Sequence, residues 1–390
     1  MKLSSHNEWD RLREVIVGTV DHMTVGLEFT SPQPVSAELF QQVSRISRQA
    51  VPDWYRDEVN QDMEGLAAIL RGFGVVVHRP SPYGSENLFG TADWHAAGKD
   101  LCNVRDLHLV AGNRVIVCPS PAKCRYHEPE AFNDIWNRYS SDGFQLIKAP
   151  QPRLAGSYLI PYYQDGQEEV SEEAALHRKL SGGRWETFHR LTEDEIIFDA
   201  ANVVRLGKDF IYLVSCTGNR RGAKWLQDVL GDEYRVHITS TYRASHLDST
   251  IVPLHPGLVM FNGVRVNPDN CPDILKKWDK IYFTDVAPIP QEELDFQNNI
   301  KDRVYLELLD LGVQTDLNHM CSPWLGLNVL SLDPKTVLVH DRQTKLIGEL
   351  ERHGLTVIPI RLRHCYTMLG GPHCSTLDTV RDGELESYAG

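Results

Sequence analysis

Apolar and polar positions follow one order that recurs along the chain: apolar strand, tight turn, apolar strand, helix, further strand. The clearest copy pairs residues 201–206 with 210–214 around the turn Gly207-Lys208-Asp209. A helical segment at 225–230 and a third strand at 234–238 complete it. The pattern predicts a hairpin whose second strand is followed by a crossover helix and one more strand of the same sheet.

Four other stretches repeat this order. In each unit the ranges below give the two hairpin strands, the helix and the last strand, in that order. They are 106–110, 115–117, 129–140 and 144–147 in the second unit. They are 249–254, 258–261, 274–278 and 280–283 in the fourth, and 327–332, 337–340, 346–350 and 355–360 in the fifth. The first unit has strand 14–18, helix 59–70 and strand 75–78, and residues 375–381 at the other end of the chain are expected to complete its hairpin.

Five units of this size cannot each bury a core alone, whereas radial stacking buries all five and leaves few free sheet edges. The sequence therefore predicts an α/β fold, a five-bladed pseudo-symmetric ββαβ propeller formed by one domain over residues 1–390. A doubly wound α/β sheet would show similar alternation, although the hairpin turns favour antiparallel pairing. Residues 151–197 fit no unit and are predicted to be a surface insertion near the mouth of the site.

The composition, with 42% hydrophobic and 24% charged residues, is ordinary for a globular protein. A net charge of −13 argues against nucleic-acid binding and suits a cationic small molecule if the acidic residues gather in a cleft. No apolar run approaches the length of a membrane span and residues 1–10 are polar, so we expect a cytoplasmic protein without a membrane partner. The eight scattered cysteines indicate reduced thiols.

Cys374 is the candidate nucleophile because it follows two glycines and a proline in the stretch 370–378. Such a turn predicts a side chain held at an exposed loop tip, where reactive cysteines tend to occur.

Four further polar residues lie where strands of the units are predicted to begin. His246 and Asp248 are two residues apart, so on a strand both side chains would leave from one face. Asp106 and Asp199 precede the second and third hairpins. Each carboxylate alone also fits a solvated surface or a strand-start cap. If the units surround an axis, all four meet Cys374 at its mouth, and this set suits a guanidinium, whose charge would favour the thiolate.

A metal site is the rival interpretation, because His364-Cys365 and His373-Cys374 form two His-Cys pairs. Adjacent ligands strain a tetrahedral site, and neither CxxC nor HExxH spacing occurs, so we expect no metal and no cofactor. Cys365 also fits a buried core position.

Four ordered segments carry a resemblance to a known family. They are FDAANVVRLGKDFIYLVS, His246-Leu247-Asp248, CSPWLGLNVLSLD and GGPHCSTLD, preceded by NEWDRLREVIVG. Over nearly its whole length the chain resembles the arginine amidinotransferases, and among these the bacterial inosamine-phosphate amidinotransferases, with glycine and cyanobacterial toxin amidinotransferases as relatives. The resemblance implies a pentein-type propeller and a homodimer.

The resemblance also implies residue roles. Cys374 matches the family nucleophile, His246 the general acid and base, and Asp199 the carboxylate that orients the histidine. Asp106 and Asp248 match positions that hold the guanidinium. Arg125, Arg265 and Ser322 fall on positions that bind the amino-acid end of the donor or lie beside the nucleophile, and Arg243 lies on a loop that faces the acceptor in the family.

The implied reaction moves the amidino group of L-arginine through a Cys374 amidino-thioether to a primary amine and releases ornithine. The expected acceptor is an aminocyclitol phosphate or an alkyl amine of a toxin pathway. Pro372 replaces the aromatic residue that the family usually has before His-Cys, which bears on acceptor choice more than on chemistry. One alternative is an arginine deiminase-like hydrolase, if water reaches the intermediate. The other is a non-catalytic arginine-binding propeller, for which the catalytic triad that the resemblance implies, Cys374, His246 and Asp199, would be expected to be incomplete.

Overall fold

The computed structural model describes residues 2–29, 35–82, 87–155, 159–161, 189–242, 245–313 and 322–388. Most of the predicted insertion at 151–197 lies outside these ranges. Its described part includes an antiparallel pair formed by Leu159–Pro161 and His189–Leu191.

Five three-stranded sheets share one strand order, an antiparallel pair followed by a strand parallel to the second member of the pair. The predicted hairpins are thereby confirmed, including the C-terminal strand that completes the first. The strands are Thr376–Arg381, Leu12–Val17 and Val76–His78 in unit 1; His108–Ala111, Arg114–Val117 and Gln145–Lys148 in unit 2; Val203–Leu206, Asp209–Leu213 and Arg235–Thr239 in unit 3; Ile251–His255, Leu258–Asn262 and Asp279–Phe283 in unit 4; and Leu330–Asp333, Thr336–His340 and Thr356–Ile360 in unit 5.

The hairpin turns of units 2, 3 and 4 depend on glycine. Gly112, Gly207 and Gly257 have φ angles of 60°, 67° and 86°, a region that side chains with a Cβ rarely adopt. At Gly207 a Cβ would also lie 2.1 Å from the carbonyl oxygen of Glu386. These glycines therefore fix where each hairpin turns.

The segment between the second and third strands is helical in every unit, although its length varies. It is Asp53–Gly72 in unit 1, Glu128–Phe132 (3-10) and Asn133–Tyr139 in unit 2, Arg220–Leu230 in unit 3, Asp273–Leu275 (3-10) in unit 4 and Thr344–Arg352 in unit 5. The helix of unit 3 begins where the Asn219 side chain accepts a hydrogen bond from Gly222 N, and it buries Ala223, Leu226 and Leu230 on one face.

Several described elements lie outside the predicted pattern. A further sheet joins Leu27–Phe29, Leu88–Gly90 and His95–Ala97, whose three-residue strands are too short to show a period. Helices Ala37–Gln49 and Gln291–Asp310 pack against each other, and a short helix spans Cys365–Met368. None of the described helices combines the length and the apolar content that crossing a bilayer requires.

The hydrophobic cores that contain strands of the five sheets lie between units rather than within them. In unit 3, Phe210 and Tyr212 pack into a core shared with unit 2, whereas Ile211 and Leu213 pack into one shared with unit 4. This division follows from the alternation of side chains along a strand. Shared cores join units 1 and 2 (Ile16 with Val110), 2 and 3 (Ile116 with Phe210), 3 and 4 (Ile211 with Val259), 4 and 5 (Met260 with Val337), and 5 and 1 (Leu338 with Val15).

Candidate active site

The predicted site residues lie in the short segments that precede the first strands of different units. Asp106 comes before His108–Ala111, Asp199 before Val203–Leu206, and Cys374 before Thr376–Arg381. His246 and Asp248 precede Ile251–His255, but His246 lies in an irregular segment and Asp248 in a turn, so the expectation that a strand aligns them was wrong. The turn gives the two side chains different partners.

Cys374 lies in a turn, as predicted, but its side chain is buried, with an exposed fraction of 3%, so the expectation of an exposed loop tip was wrong. Its Sγ donates a hydrogen bond to Oδ2 of Asp248 at 3.1 Å. Its backbone N–H donates to Oδ1 of Asn328 at 2.9 Å. Burial follows because units 4 and 5 supply groups that cover the turn.

His246 lies between two carboxylates. Its Nε2 is 2.9 Å from Oδ2 of Asp199, and its Nδ1 is 3.7 Å from Oδ1 of Asp106. Pairing through Nε2 leaves Nδ1 as the ring atom on the side of Asp106. The histidine is thus oriented by one acid and faces a second.

Charge within the site determines how these groups ionise. Burial would lower the pKa of His246, but the charges of Asp106 and Asp199 and the hydrogen bond to Asp199 outweigh it and raise this pKa to about 9. Burial raises the pKa of the Cys374 thiol well above its usual value, and the negative charges of Asp248 and Asp106 raise it further. Near neutral pH the site therefore contains an imidazolium and a protonated thiol.

Two carboxylate oxygens in this region are buried without a hydrogen bond to any described residue, Oδ1 of Asp106 and Oδ1 of Asp199. All hydrogen bonds that described residues make to Asp248 end on its Oδ2. A buried carboxylate oxygen without a donor is costly, so these atoms can accept hydrogen bonds from a ligand that supplies N–H groups. A planar cation with several donors fits this need.

Arg125 forms a hydrogen-bonded ion pair with Asp106. Its guanidinium donates two hydrogen bonds to Glu128, one to Asp106 and one to the carbonyl of Asn103. These use four of the five N–H donors of a guanidinium. The contacts favour a part in positioning Asp106 over direct binding of the far end of a donor.

Arg265 is buried beside unit 4, where its Nη1 donates to Thr250 at 2.8 Å. Its guanidinium lies 4.1 Å from the centre of the Tyr242 ring and 5.4 Å from that of Trp324. Ser322 is half-buried at the start of the 3-10 helix Pro323–Leu327. Arg243 lies outside the described residues.

Sequence reasoning missed three residues that support the site. Asn328 contacts Asp248 and the backbone of Cys374, His373 contacts Asp248, and Glu128 holds Arg125. The pairing of Arg125 with Glu128 could have been inferred from the sequence, because an i,i+3 spacing of opposite charges is typical of a local ion pair. The other two give no local signal, because their partners are distant in sequence.

The metal interpretation gains no support from the described residues. His364 pairs with Glu58 at 2.7 Å, and Cys365 belongs to the core that joins units 5 and 1. In the part of the chain that the structure describes, no three His, Cys, Asp or Glu side chains are arranged to hold a metal ion.

Comparison with known proteins gives full-length relatives. The chain is 39% identical to inosamine-phosphate amidinotransferase 1 of Streptomyces glaucescens, over 99% of both chains. A solved inosamine-phosphate amidinotransferase of Streptomyces griseus is similar with a TM-score of 0.77 and 36% identity, covering 99% of each chain. An amidinotransferase of the saxitoxin biosynthetic pathway from Microseira wollei has a TM-score of 0.76 and 31% identity, again over 99% of each.

More distant comparisons concern the fold. The sequence model of one family, described as Arginine deiminase, matches residues 274–381. A solved dimethylarginine dimethylaminohydrolase has a TM-score of 0.52 at 12% identity, covering 94% of this chain and 99% of that one. Together with the closer structures, these show that the chain has the pentein fold.

Proposed function

Because this chain belongs to the amidinotransferase family, we propose that it transfers the amidino group of L-arginine to a primary amine through a covalent Cys374 intermediate and releases ornithine. The observation that carries the proposal is the 3.1 Å contact of Cys374 Sγ with Asp248. In the same site Oδ1 of Asp106 is buried without a hydrogen bond to any described residue and lies 3.7 Å from Nδ1 of His246. A guanidinium there would satisfy the carboxylates and place its carbon beside the sulfur.

The bound cation would also favour ionisation of the Cys374 thiol. Burial raises the pKa of Cys374 and the charges of Asp248 and Asp106 raise it further, so a guanidinium that neutralises those charges would lower it. The thiol gives its proton to solvent when the cation binds, and the thiolate then attacks the guanidinium carbon. The tetrahedral adduct collapses when protonated His246 gives its proton to the departing ornithine nitrogen, which breaks the C–N bond and leaves the amidino group on the sulfur. His246 pairs with Asp199 throughout, which stabilises its charged form.

The second half-reaction reverses these roles. The acceptor amine attacks the amidino-thioether carbon, neutral His246 takes the proton of the amine, and the C–S bond breaks to return the sulfur of Cys374. Asp106 and Asp248 are the carboxylates proposed to hold the planar cation in both halves. Oδ1 of Asp106 is buried without a hydrogen bond to any described residue, and the hydrogen bonds that described residues make to Asp248 end on its Oδ2. The scheme requires ping-pong kinetics, since ornithine leaves before the acceptor reacts.

For the acceptor we propose an aminocyclitol phosphate, which the inosamine-phosphate amidinotransferases at 39% and 36% identity support. An alkyl amine of a toxin pathway is the second candidate, supported by the saxitoxin-pathway relative at 31% identity. Incubation with guanidino-labelled arginine and a panel of amines tests both. Amidino transfer to an aminocyclitol phosphate well above the other amines supports the first, and preference for simple alkyl amines contradicts it.

A hydrolase is the alternative activity, favoured by the arginine deiminase model that matches residues 274–381. The same residues would serve if water, instead of an amine, attacked the intermediate. The products separate the two reactions. Ornithine with an amidinated amine supports transfer, and citrulline formed without an amine supports hydrolysis.

We further propose that the five units close into a propeller, that the protein is a homodimer and that it works in the cytoplasm. The shared cores support the ring, because they link units 1 to 5 in order and then unit 5 to unit 1. Exposed apolar side chains on helix Gln291–Asp310, among them Leu306 and Leu309, supply a surface for a partner copy. Light scattering on the purified chain would contradict the dimer by giving the mass of one chain.

A further inference from the structure

Asp248 is held from two sides by residues outside the catalytic triad. Asn328 Nδ2 donates to Oδ2 of Asp248 at 2.9 Å, and His373 Nδ1 is 2.9 Å from the same oxygen. Both side chains are buried, with exposed fractions of 1% and 8% for the two residues. With the Cys374 thiol, three donors converge on one carboxylate oxygen and fix the rotation of Asp248.

The same asparagine holds the nucleophile turn. Asn328 Oδ1 accepts hydrogen bonds from the backbone N–H of His373 at 3.0 Å and of Cys374 at 2.9 Å. The turn is packed on this side chain, because a Cβ at Gly371 would lie 2.7 Å from Cβ and Oδ1 of Asn328. One amide therefore ties Cys374 to Asp248, which comes from a different unit.

His373 is fixed in turn by the buried charges beneath the site. Its Nε2 is 3.4 Å from Oε2 of Glu8, and its carbonyl accepts a hydrogen bond from Arg105 Nε at 3.0 Å. Glu8 itself is paired with Arg205. The ring is thus set between two carboxylates and cannot turn away from Asp248 without losing both.

We propose that Asn328 and His373 are positioning residues that hold Cys374 Sγ against Oδ2 of Asp248 and leave the other carboxylate oxygen for the guanidinium. Neither residue is placed to react with substrate. Their effect is geometric, since attack on the guanidinium carbon requires the sulfur and the cation to be held at a fixed separation.

The Asn328→Asp variant tests the proposed role of Asn328. The substitution keeps the acceptor oxygen for the two backbone N–H groups but replaces the donor to Asp248 by a second acidic oxygen. We expect kcat/KM for arginine to fall by about 100-fold. We also expect the midpoint pH for alkylation of Cys374 by iodoacetamide, followed on its own peptide by mass spectrometry, to move upward, because the added negative charge disfavours the thiolate.

The matched control is Asn267→Asp. Asn267 Oδ1 likewise accepts from two backbone N–H groups, those of Asp269 and Asn270, in an exposed turn. This variant should change neither kcat/KM nor the alkylation midpoint by more than about twofold and 0.2 pH units, since surface substitutions have small effects. A folded Asn328→Asp enzyme with kcat/KM within threefold of the wild type and an unshifted midpoint would overturn the proposal.

Substitution of His373 gives a second test of the proposal, which can be carried out even if the Asn328→Asp variant does not fold. His373→Asn keeps an N–H donor the same number of bonds from Cβ as Nδ1, whereas His373→Leu removes it. Under a positioning role, His373→Asn retains at least about ten times the kcat/KM of His373→Leu. Equal activities of the two folded variants would show that the bond to Asp248 does not matter.

The inference rests on the proposed function, but the two can fail separately. If wild-type enzyme releases no ornithine from arginine, the function is wrong. The alkylation midpoint needs no turnover, so an unshifted midpoint in Asn328→Asp counts against the positioning role alone.

Discussion

Oδ1 of Asp106 lies 3.7 Å from Nδ1 of His246, and this oxygen is buried without a hydrogen bond to any described residue. The charge of Asp106 is the largest influence that raises the pKa of His246 against the effect of burial. Asp106, which we propose to bind the guanidinium, therefore also raises the pKa of His246, the proposed acid–base group. Under the proposed function, substrate binding and acid–base chemistry are coupled through this pair.

Asp106→Asn should lower the pKa of His246 from about 9 toward its ordinary value of 6.5, because an amide no longer stabilises the imidazolium. The measurement is an NMR titration of the His246 ring without substrate. Since the protonated form is lost at lower pH in the variant, the titration midpoint must move down. An unchanged midpoint would show that Asp106 does not control this histidine. Asp382→Asn, an exposed acid paired with Arg13, is the control.

Arg265→Lys should weaken recognition of the carboxylate end of arginine. Lysine cannot reproduce the planar stacking of Arg265 on Tyr242 or its forked donors. We expect kcat/KM for arginine to fall about 10- to 100-fold, an amount typical of losing a charge-assisted hydrogen bond. Agmatine lacks that carboxylate, so its kcat/KM should change far less. Equal losses for both donors would mean that Arg265 acts through the fold alone.

Asp378→Asn should destabilise the protein strongly. Asp378 is fully buried and contacts Arg105 at 2.6 Å, Arg205 at 2.7 Å and Arg381 at 2.9 Å. Removing one member of such a network leaves buried charges uncompensated, at a cost of about 3–5 kcal/mol in the free energy of unfolding. Denaturant unfolding measures it. The exposed pair of Arg13 with Asp382 is the comparison, and Asp382→Asn should cost less than about 1 kcal/mol.

The same network predicts acid sensitivity. Burial would raise the pKa of Asp378, but the neighbouring arginines hold it well below 3.8, and Arg205 lowers that of Glu8 in the same way. A folded pKa below the unfolded one gives stability that is complete above the unfolded value and declines as pH falls below it. The free energy of unfolding should therefore fall as pH drops below 4. The decline should be shallower in Asp378→Asn, and equal slopes would contradict this origin.

The structural features that the sequence predicted correctly are those that depend on a local pattern of residues. Hairpins such as the one around Gly207 follow from alternation and turn residues close in the chain, and the positions of Asp106 and Asp199 before their strands follow with them. The burial of Cys374 could not be predicted in this way. It depends on Asn328 and Asp248, which are 46 and 126 residues away in sequence and meet the cysteine only when three units pack together.

The most direct test of the account is covalent labelling of Cys374 by arginine whose guanidino carbon is isotopically labelled. Acid quenching of the wild-type enzyme without an acceptor should place the label on the peptide that contains Cys374, with ornithine released in equal amount. Cys374→Ser should show neither label nor ornithine, because the serine hydroxyl is a far weaker nucleophile than the cysteine sulfur near neutral pH. Retained turnover in Cys374→Ser, or wild-type label on a different peptide, would contradict the central claim.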